Sequence, residues 1–264
     1  MRQKRFLIRG AKIVVPIILL AISIVLFFRH VFILRVISIT GAENISRDHV
    51  QALVDEKLYG DYLWFFPRRN ALLYPKSEIA TALTAEFPQL SSVGVSLIYP
   101  LNLSLTLTER SPLFSYCGAE QVSERPLRGC FLVDETGYVY SKSITLDSPY
   151  PELYAPLRAE GEPLRNFVLS ADDFKNLKAL TLYVITSHIA PRVIEISPDR
   201  SAEISTNVGW KIKFLLDDSA DMLAKNLSAA LSSDVFSKDP DALASLDYLD
   251  LRFGNKVYYK WKNR

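Results

Sequence analysis

IVVPIILLAISIVLFF, residues 13–28, is an uninterrupted apolar run with no charge in it, and Arg2, Lys4, Arg5, Arg9 and Lys12 precede it. Its reading decides the architecture, because a spanning helix here would put more than two hundred residues beyond a membrane. Sixteen residues at about 1.5 Å each reach roughly 24 Å, short of a hydrocarbon core of about 30 Å. Arg9, Lys12 and Arg29 can snorkel to the headgroups, and Phe6, Leu7 and Ile8 extend the apolar surface. Pro16 falls in the first turns of the run, where a missing N–H costs least. The basic flank orients the N-terminus inward. A cleaved signal would need a small-x-small site, but the chain continues Arg29-His30-Val31-Phe32-Ile33-Leu34. A buried helix of a soluble domain is the competing reading, and the five cations fit it less well. The expected division is a cytoplasmic tail at 1–12 and an anchor at 13–34. The short step from Phe28 to Val36 leaves no free tether, so anchor and first domain are expected to act as one unit.

Of the chain's 31 basic residues seven lie in 1–35, which holds no acidic one, so the rest carries 24 basic against 29 acidic residues. A net acidic remainder argues against nucleic acid, which needs a concentrated basic face. The two cysteines, Cys117 and Cys130, border strand-like runs (113–117 and 130–133) around a polar loop, GAEQVSERPLRG. A hairpin ending in two cysteines can bring their Cα atoms within about 4.4–6.8 Å. A disulfide and two free thiols are the two readings, and the exported location favours the bond. The three histidines, His30, His49 and His188, are far apart in sequence and away from both cysteines, which argues against a metal site.

The first exported segment reads β-α-α-β-β. Val36–Thr40 is strand-like and Gly41 ends it. Ser46 is a candidate N-cap for a helix through Leu58, with Val50, Leu53, Val54 and Leu58 on one face. An aromatic loop, Asp61 to Tyr74, holds Tyr62, Trp64, Phe65, Phe66 and Arg68-Arg69. It reads either as a contact with the headgroup region or as an aromatic plug under the helices. A helix after Pro75 spaces Ile79, Leu83 and Phe87 by four. Two strands follow around Tyr99-Pro100, and in the second Leu101, Leu103, Leu105 and Leu107 alternate with polar residues. The later segment reads as a helix at 171–188, a strand at 193–197, a hairpin through Asn207-Val208-Gly209, a helix from Asp217-Asp218-Ser219 to Leu231, and a last hairpin of 248–253 and 256–261.

Ile37-Ser38-Ile39-Thr40-Gly41 follows the I-x-I-x-G pattern of a POTRA domain, and Glu109-Arg110-Ser111-Pro112 resembles the E-R-x-P close of that domain in the FtsQ/DivIB division proteins. Leu132 to Tyr140 is similar to that family's V-D-x-x-G-x-V-F segment, and Leu249-Asp250-Leu251-Arg252-Phe253 to its D-L-R-Y/F signature. The resemblance covers essentially the whole chain and rests on the order of individually weak motifs. The expected fold class is α+β: one N-terminal transmembrane helix, a POTRA domain at 35–110, and a mainly β domain with two helices at 111–264. The resemblance implies a divisome scaffold of the bacterial inner membrane, with its C-terminal domains extracytoplasmic. Its partners would be small coiled-coil proteins of the FtsB/DivIC and FtsL type, other membrane division proteins through the POTRA domain, and membrane lipid.

No cofactor is expected. Asp172-Asp173 and Asp217-Asp218 read as helix caps before they read as catalytic dyads, and no phosphate loop, HExxH or G-x-S-x-G is present. The closing strand, Lys256 to Trp261, carries residue types that dominate interfaces and has the position of an edge. The D-L-R resemblance puts Arg252, Phe253 and Trp261 in the docking region, with Phe253 where the family often has tyrosine. Asn255, Tyr258 and Tyr259 lie in the same strand pair, and which of the two tyrosines faces inward is left open. Two other readings remain: a POTRA protein of outer-membrane insertion or secretion, and a membrane-anchored periplasmic enzyme.

Overall fold

A computed structural model describes residues 2–41, 43–119, 129–143, 148–158, 161–237 and 242–262. The chain divides into two compact units, Met1–Glu109 and Arg110–Arg264. Arg110 falls in the second unit rather than closing the first.

The first unit begins with α1 (Arg2–Val31), so the basic tail is helical and continuous with the apolar run. Val14–Val31 is long and apolar enough to cross a membrane. The helix stops at Val31, short of the expected anchor end at Leu34, because the next residues are already part of the fold. Phe32 O accepts from Ala71 N at 2.7 Å, Leu34 N donates to Arg69 O at 3.0 Å, and the Leu34 side chain is buried.

Then come β1 (Val36–Thr40), α2 (Arg47–Leu58), β2 (Asp61–Tyr62), β3 (Phe66–Pro67), α3 (Lys76–Glu86), β4 (Leu90–Ile98) and β5 (Asn102–Glu109). Ser46 caps α2, its hydroxyl accepting from His49 N at 3.4 Å. The strand order is β1-β5-β4, with β1 parallel and β4 antiparallel to β5. Alternation sends Leu103, Leu105 and Leu107 to one face, where they are buried with Val50, Val54, Ile79 and Leu83 of the two helices. Each such leucine contributes about 1.5–3 kcal/mol when fully buried. Within the segment read as an aromatic loop, residues 61–67 form a small hairpin, β2 with β3, whose tip is exposed, while Ala71 and Tyr74 farther on pack into the core under the helices.

Gly41 closes β1 at φ +80°, and a Cβ there would sit 2.0 Å from Leu107 O. Glu109 clamps the following turn, accepting from Glu43 N at 2.8 Å and from Asn44 N at 2.9 Å.

The second unit contains β6 (Pro112–Gly118), β7 (Phe131–Asp134), β8 (Val139–Lys142), β9 (Glu152–Tyr154), α4 (Ala171–Thr186), β10 (Pro191–Ile196), β11 (Ser201–Thr206), β12 (Lys211–Leu215), α5 (Ala220–Leu231), the single turns α6 (Asp234–Ser237) and α7 (Ala242–Ser245), β13 (Leu246–Phe253) and β14 (Lys256–Trp261). Among the described residues its strands form one sheet, in the order β14-β13-β12-β11-β10-β9-β6-β7-β8. Helices α4 and α5 cover one face through Phe174, Leu177, Leu180, Leu223 and Leu227. Cys117 and Cys130 are disulfide-bonded with Cα atoms 4.4 Å apart. Closing a loop of this length stabilises by about 3 kcal/mol in the entropic account. Most of the polar loop between them, residues 120–128, lies outside the described residues.

Gly41 and Gly60 both have positive φ, but nothing lies within 4 Å of a Cβ built at Gly60. Gly60→Ala should therefore cost only the left-handed penalty of about 1–2 kcal/mol. Gly41→Ala should cost clearly more, because its Cβ meets a backbone carbonyl that is part of the sheet. Chemical denaturation of the two variants checks the order.

Candidate partner-binding edge

An open sheet has two edges, and the two here differ. On the outer side of β8, Val139 N donates to Asn166 O at 2.9 Å and Arg165 N donates to Val139 O at 2.8 Å. That edge is closed by a loop at Val139, its first residue. At the other end stands β14, with no strand on its outer side among the described residues. Alternate N–H and C=O groups along its outer side face away from the sheet, the arrangement that accepts an added strand.

The register explains what β14 displays. One row across the sheet runs Ile194, Ile204, Ile212, Leu249, Tyr259, each paired with the next. The first four are fully buried under the helices, whereas Tyr259 is 45 % exposed. Tyr259 is the last member of a core row and lacks the neighbour that would bury its outer flank. Its ring packs edge-on against Phe236 of α6, centroids 5.4 Å apart, and Trp261 lies 5.6 Å from the same ring.

The adjacent row runs Glu195, Glu203, Lys213, Asp250, Tyr258 on the opposite face. Tyr258 therefore ends a polar row. The register shifts between Asp250 and Phe253, and the Phe253 ring packs edge-on to Tyr258 at 4.9 Å. Both tyrosines are about half exposed, Tyr259 on the helix-covered face and Tyr258 on the opposite one. Asn255 lies in the turn that joins the strands, beside Gly254, whose carbonyl accepts from Asn226 Nδ2 at 2.6 Å.

The Asp250 carboxylate is buried and gripped by its neighbour two residues on. Arg252 Nε donates to Oδ1 at 2.8 Å, Nη2 to Oδ2 at 2.6 Å, and Arg252 N to Oδ1 at 3.2 Å. Burial works to raise the Asp250 pKa, and the Arg252 hydrogen bonds overcome it and hold the carboxyl below its ordinary value. Arg252 is thus tied to Asp250 but stays exposed, as do Phe253, Asn255, Tyr258, Tyr259 and Trp261, so all six residues of the expected set lie at the surface. Sequence reading missed Phe236 and the polar row. The Asp250–Arg252 fork was available, since i and i+2 in a strand share a face.

The other chemistry-bearing residues resolve differently. Asp173 and Asp217 each accept from Arg200 at 2.7 Å, and the caps of α4 and α5 are Ser170 and Ser219 rather than the aspartates of the 172–173 and 217–218 pairs. The Arg200 hydrogen bond holds the Asp173 carboxyl below its ordinary value. Asp134 is buried and pairs with Arg110, and its Oδ1 accepts from Thr136 N at 2.8 Å and Tyr138 N at 3.0 Å. At Gly137, φ +87°, a Cβ would lie 2.8 Å from the Phe174 ring. The Asp134–Gly137 turn therefore locks the sheet to α4. Among the described residues no cluster of histidine, cysteine or carboxylate side chains could hold a metal ion. No family model matches this sequence, and no curated protein matches it.

Asp250 has a lowered folded pKa, so its stabilisation is present above its unfolded value near 4 and is lost as pH falls through the folded value. Arg252→Gln should lower stability at neutral pH by about 2 kcal/mol by leaving a buried carboxylate short of partners. It should also lose less on acidification than the wild type. Thermal unfolding across the acid range checks this, and parallel pH profiles would contradict it.

Proposed function

We propose that the chain is a single-pass scaffold of the FtsQ/DivIB type in the bacterial inner membrane. In this reading α1 is the anchor, its N-terminus is cytoplasmic, and the unit that contains β1 to β5 is a POTRA module. The outer strand β14 receives a β-strand from a small coiled-coil division partner of the FtsB/DivIC or FtsL type. The role is assembly rather than catalysis.

The observation that carries this reading is the unequal treatment of the two sheet edges. Closing β8 with a loop at Val139 while leaving β14 open is how a protein reserves one edge for a partner. Aromatic side chains on both faces of β14 supply anchors that a bare backbone ladder lacks. The motif residues contribute to this reading as structure. Asp250 and Arg252 stiffen β13 beside the open strand, and Glu109 and Arg110 each tie down a turn within their own unit. The order β1-α2-α3-β4-β5, with the β2–β3 hairpin inserted between the two helices and an apolar helix in front, supports the POTRA assignment.

Phe253 is 54 % exposed, so Phe253→Lys should fold normally. Its binding to the coiled-coil partner should fall at least about tenfold, the loss expected at an aromatic anchor. Leu182→Lys, at an exposed site on α4 away from the edge, should bind normally. A titration of the full chain in detergent with the partner's extracytoplasmic segment separates the two outcomes. Unchanged binding of Phe253→Lys would contradict the edge assignment.

A further inference from the structure

The first unit carries an exposed apolar tip that the scaffold role does not use. Tyr62, Leu63, Trp64 and Phe65 form the turn between β2 and β3, closed by Phe65 N donating to Tyr62 O at 3.1 Å. Its central residues have φ +50° at Leu63 and φ +68° at Trp64. A turn with two successive positive φ values is the natural place for Asn-Gly. Here two bulky apolar residues occupy it against their backbone preference, and they are 79 % and 89 % exposed. Phe65 beside them is also exposed. Local strain borne by exposed apolar side chains points to something outside the chain that takes them up.

The location identifies what that is. Asp61, at the base of the hairpin, pairs with Arg29 in the last turn of α1 at 3.5 Å. Asn70 bridges to Ile33, and Ala71 N bonds Phe32 O, directly after the helix. A second exposed tip lies at the same end. The pairing of Val36 with Asn102, and of Arg35 N with Leu101 O at 2.9 Å, places the β4–β5 turn where the chain leaves α1. That turn exposes Ile98 and Tyr99, the latter 91 %.

We infer that the Leu63-Trp64-Phe65 tip, assisted by Ile98-Tyr99, inserts into the interfacial layer of the bilayer that α1 crosses. Trp and Tyr concentrate in that layer because an apolar ring and a polar handle both find partners there. The tips and α1 then hold the first unit to the membrane at separate points, which one helix alone cannot do. This rests on reading α1 as a membrane span, and not on the division-protein assignment or on the β14 edge.

The test uses the full chain in vesicles of phosphatidylcholine and phosphatidylglycerol brominated on their acyl chains, which quench nearby tryptophan. Trp64 is one of three tryptophans, and Trp210 is fully buried in the second unit. Quenching should be present in the wild type, and the Trp64 contribution should disappear in Trp64→Phe. With Trp64 kept, Leu63→Asp/Phe65→Glu should lose that quenching and shift the Trp64 emission to the red. Flotation of the vesicles reports the anchor separately. A chain that floats while wild type and Trp64→Phe are quenched alike overturns the tip insertion alone, as would be seen if the tip were built for a protein partner absent from pure lipid. A chain that does not float overturns the reading of α1 and this inference with it.

Discussion

Backbone hydrogen bonding sets the terms for the second unit. Each end of an open sheet leaves a row of N–H and C=O groups without a ladder partner, and a folded chain must cover such a row, blunt it or use it. The loop around Arg165 and Asn166 closes the start of β8 by direct backbone bonds to Val139. Lys256 and Lys260 put charge on β14 but leave its backbone accessible. The cross-strand rows then dictate the side chains at the open end. A core row that begins with Ile194 must end somewhere, and it ends in Tyr259, an aromatic that tolerates half burial.

The same constraint gives the conspicuous polar residues their place. Asp250 would be costly beneath the β13–β14 pair if it stood alone, and Arg252 answers its charge from the same strand face. Asp134 is answered by Arg110 and by the N–H groups of its own turn. Arg200 gathers Asp173 and Asp217, which ties the start of α4 to the turn before α5. These carboxylates hold the fold in register, and that accounts for their spacing in the sequence without invoking chemistry.

Much of this was legible beforehand. The alternation of Leu101 to Leu107, the cap at Ser46, the four-residue spacing of Ile79, Leu83 and Phe87, and the cysteine hairpin are local patterns, and each became an element. The parts that stayed hidden are non-local. The β2–β3 hairpin has strands of two residues and a turn of Leu63-Trp64, the opposite of a turn signal. The parallel pairing of β12 with β13, separated by α5, decides that Asp250 continues the Glu203–Lys213 row, and no spacing in the sequence announces it. Which tyrosine of β14 faces the helices follows from that register and not from the strand's own composition. The helix ends at Val31 rather than Leu34, and the sequence does not mark this because an apolar residue reads alike in a spanning helix and in a domain core.

Strand addition at β14 has a signature that side-chain docking lacks. Amide hydrogen exchange along Lys256–Trp261, measured with and without the proposed coiled-coil partner, should show new protection at alternate residues, those whose N–H groups point away from β13. Aromatic contacts without an added strand would leave the exchange of these amides unchanged, and that result would contradict the account.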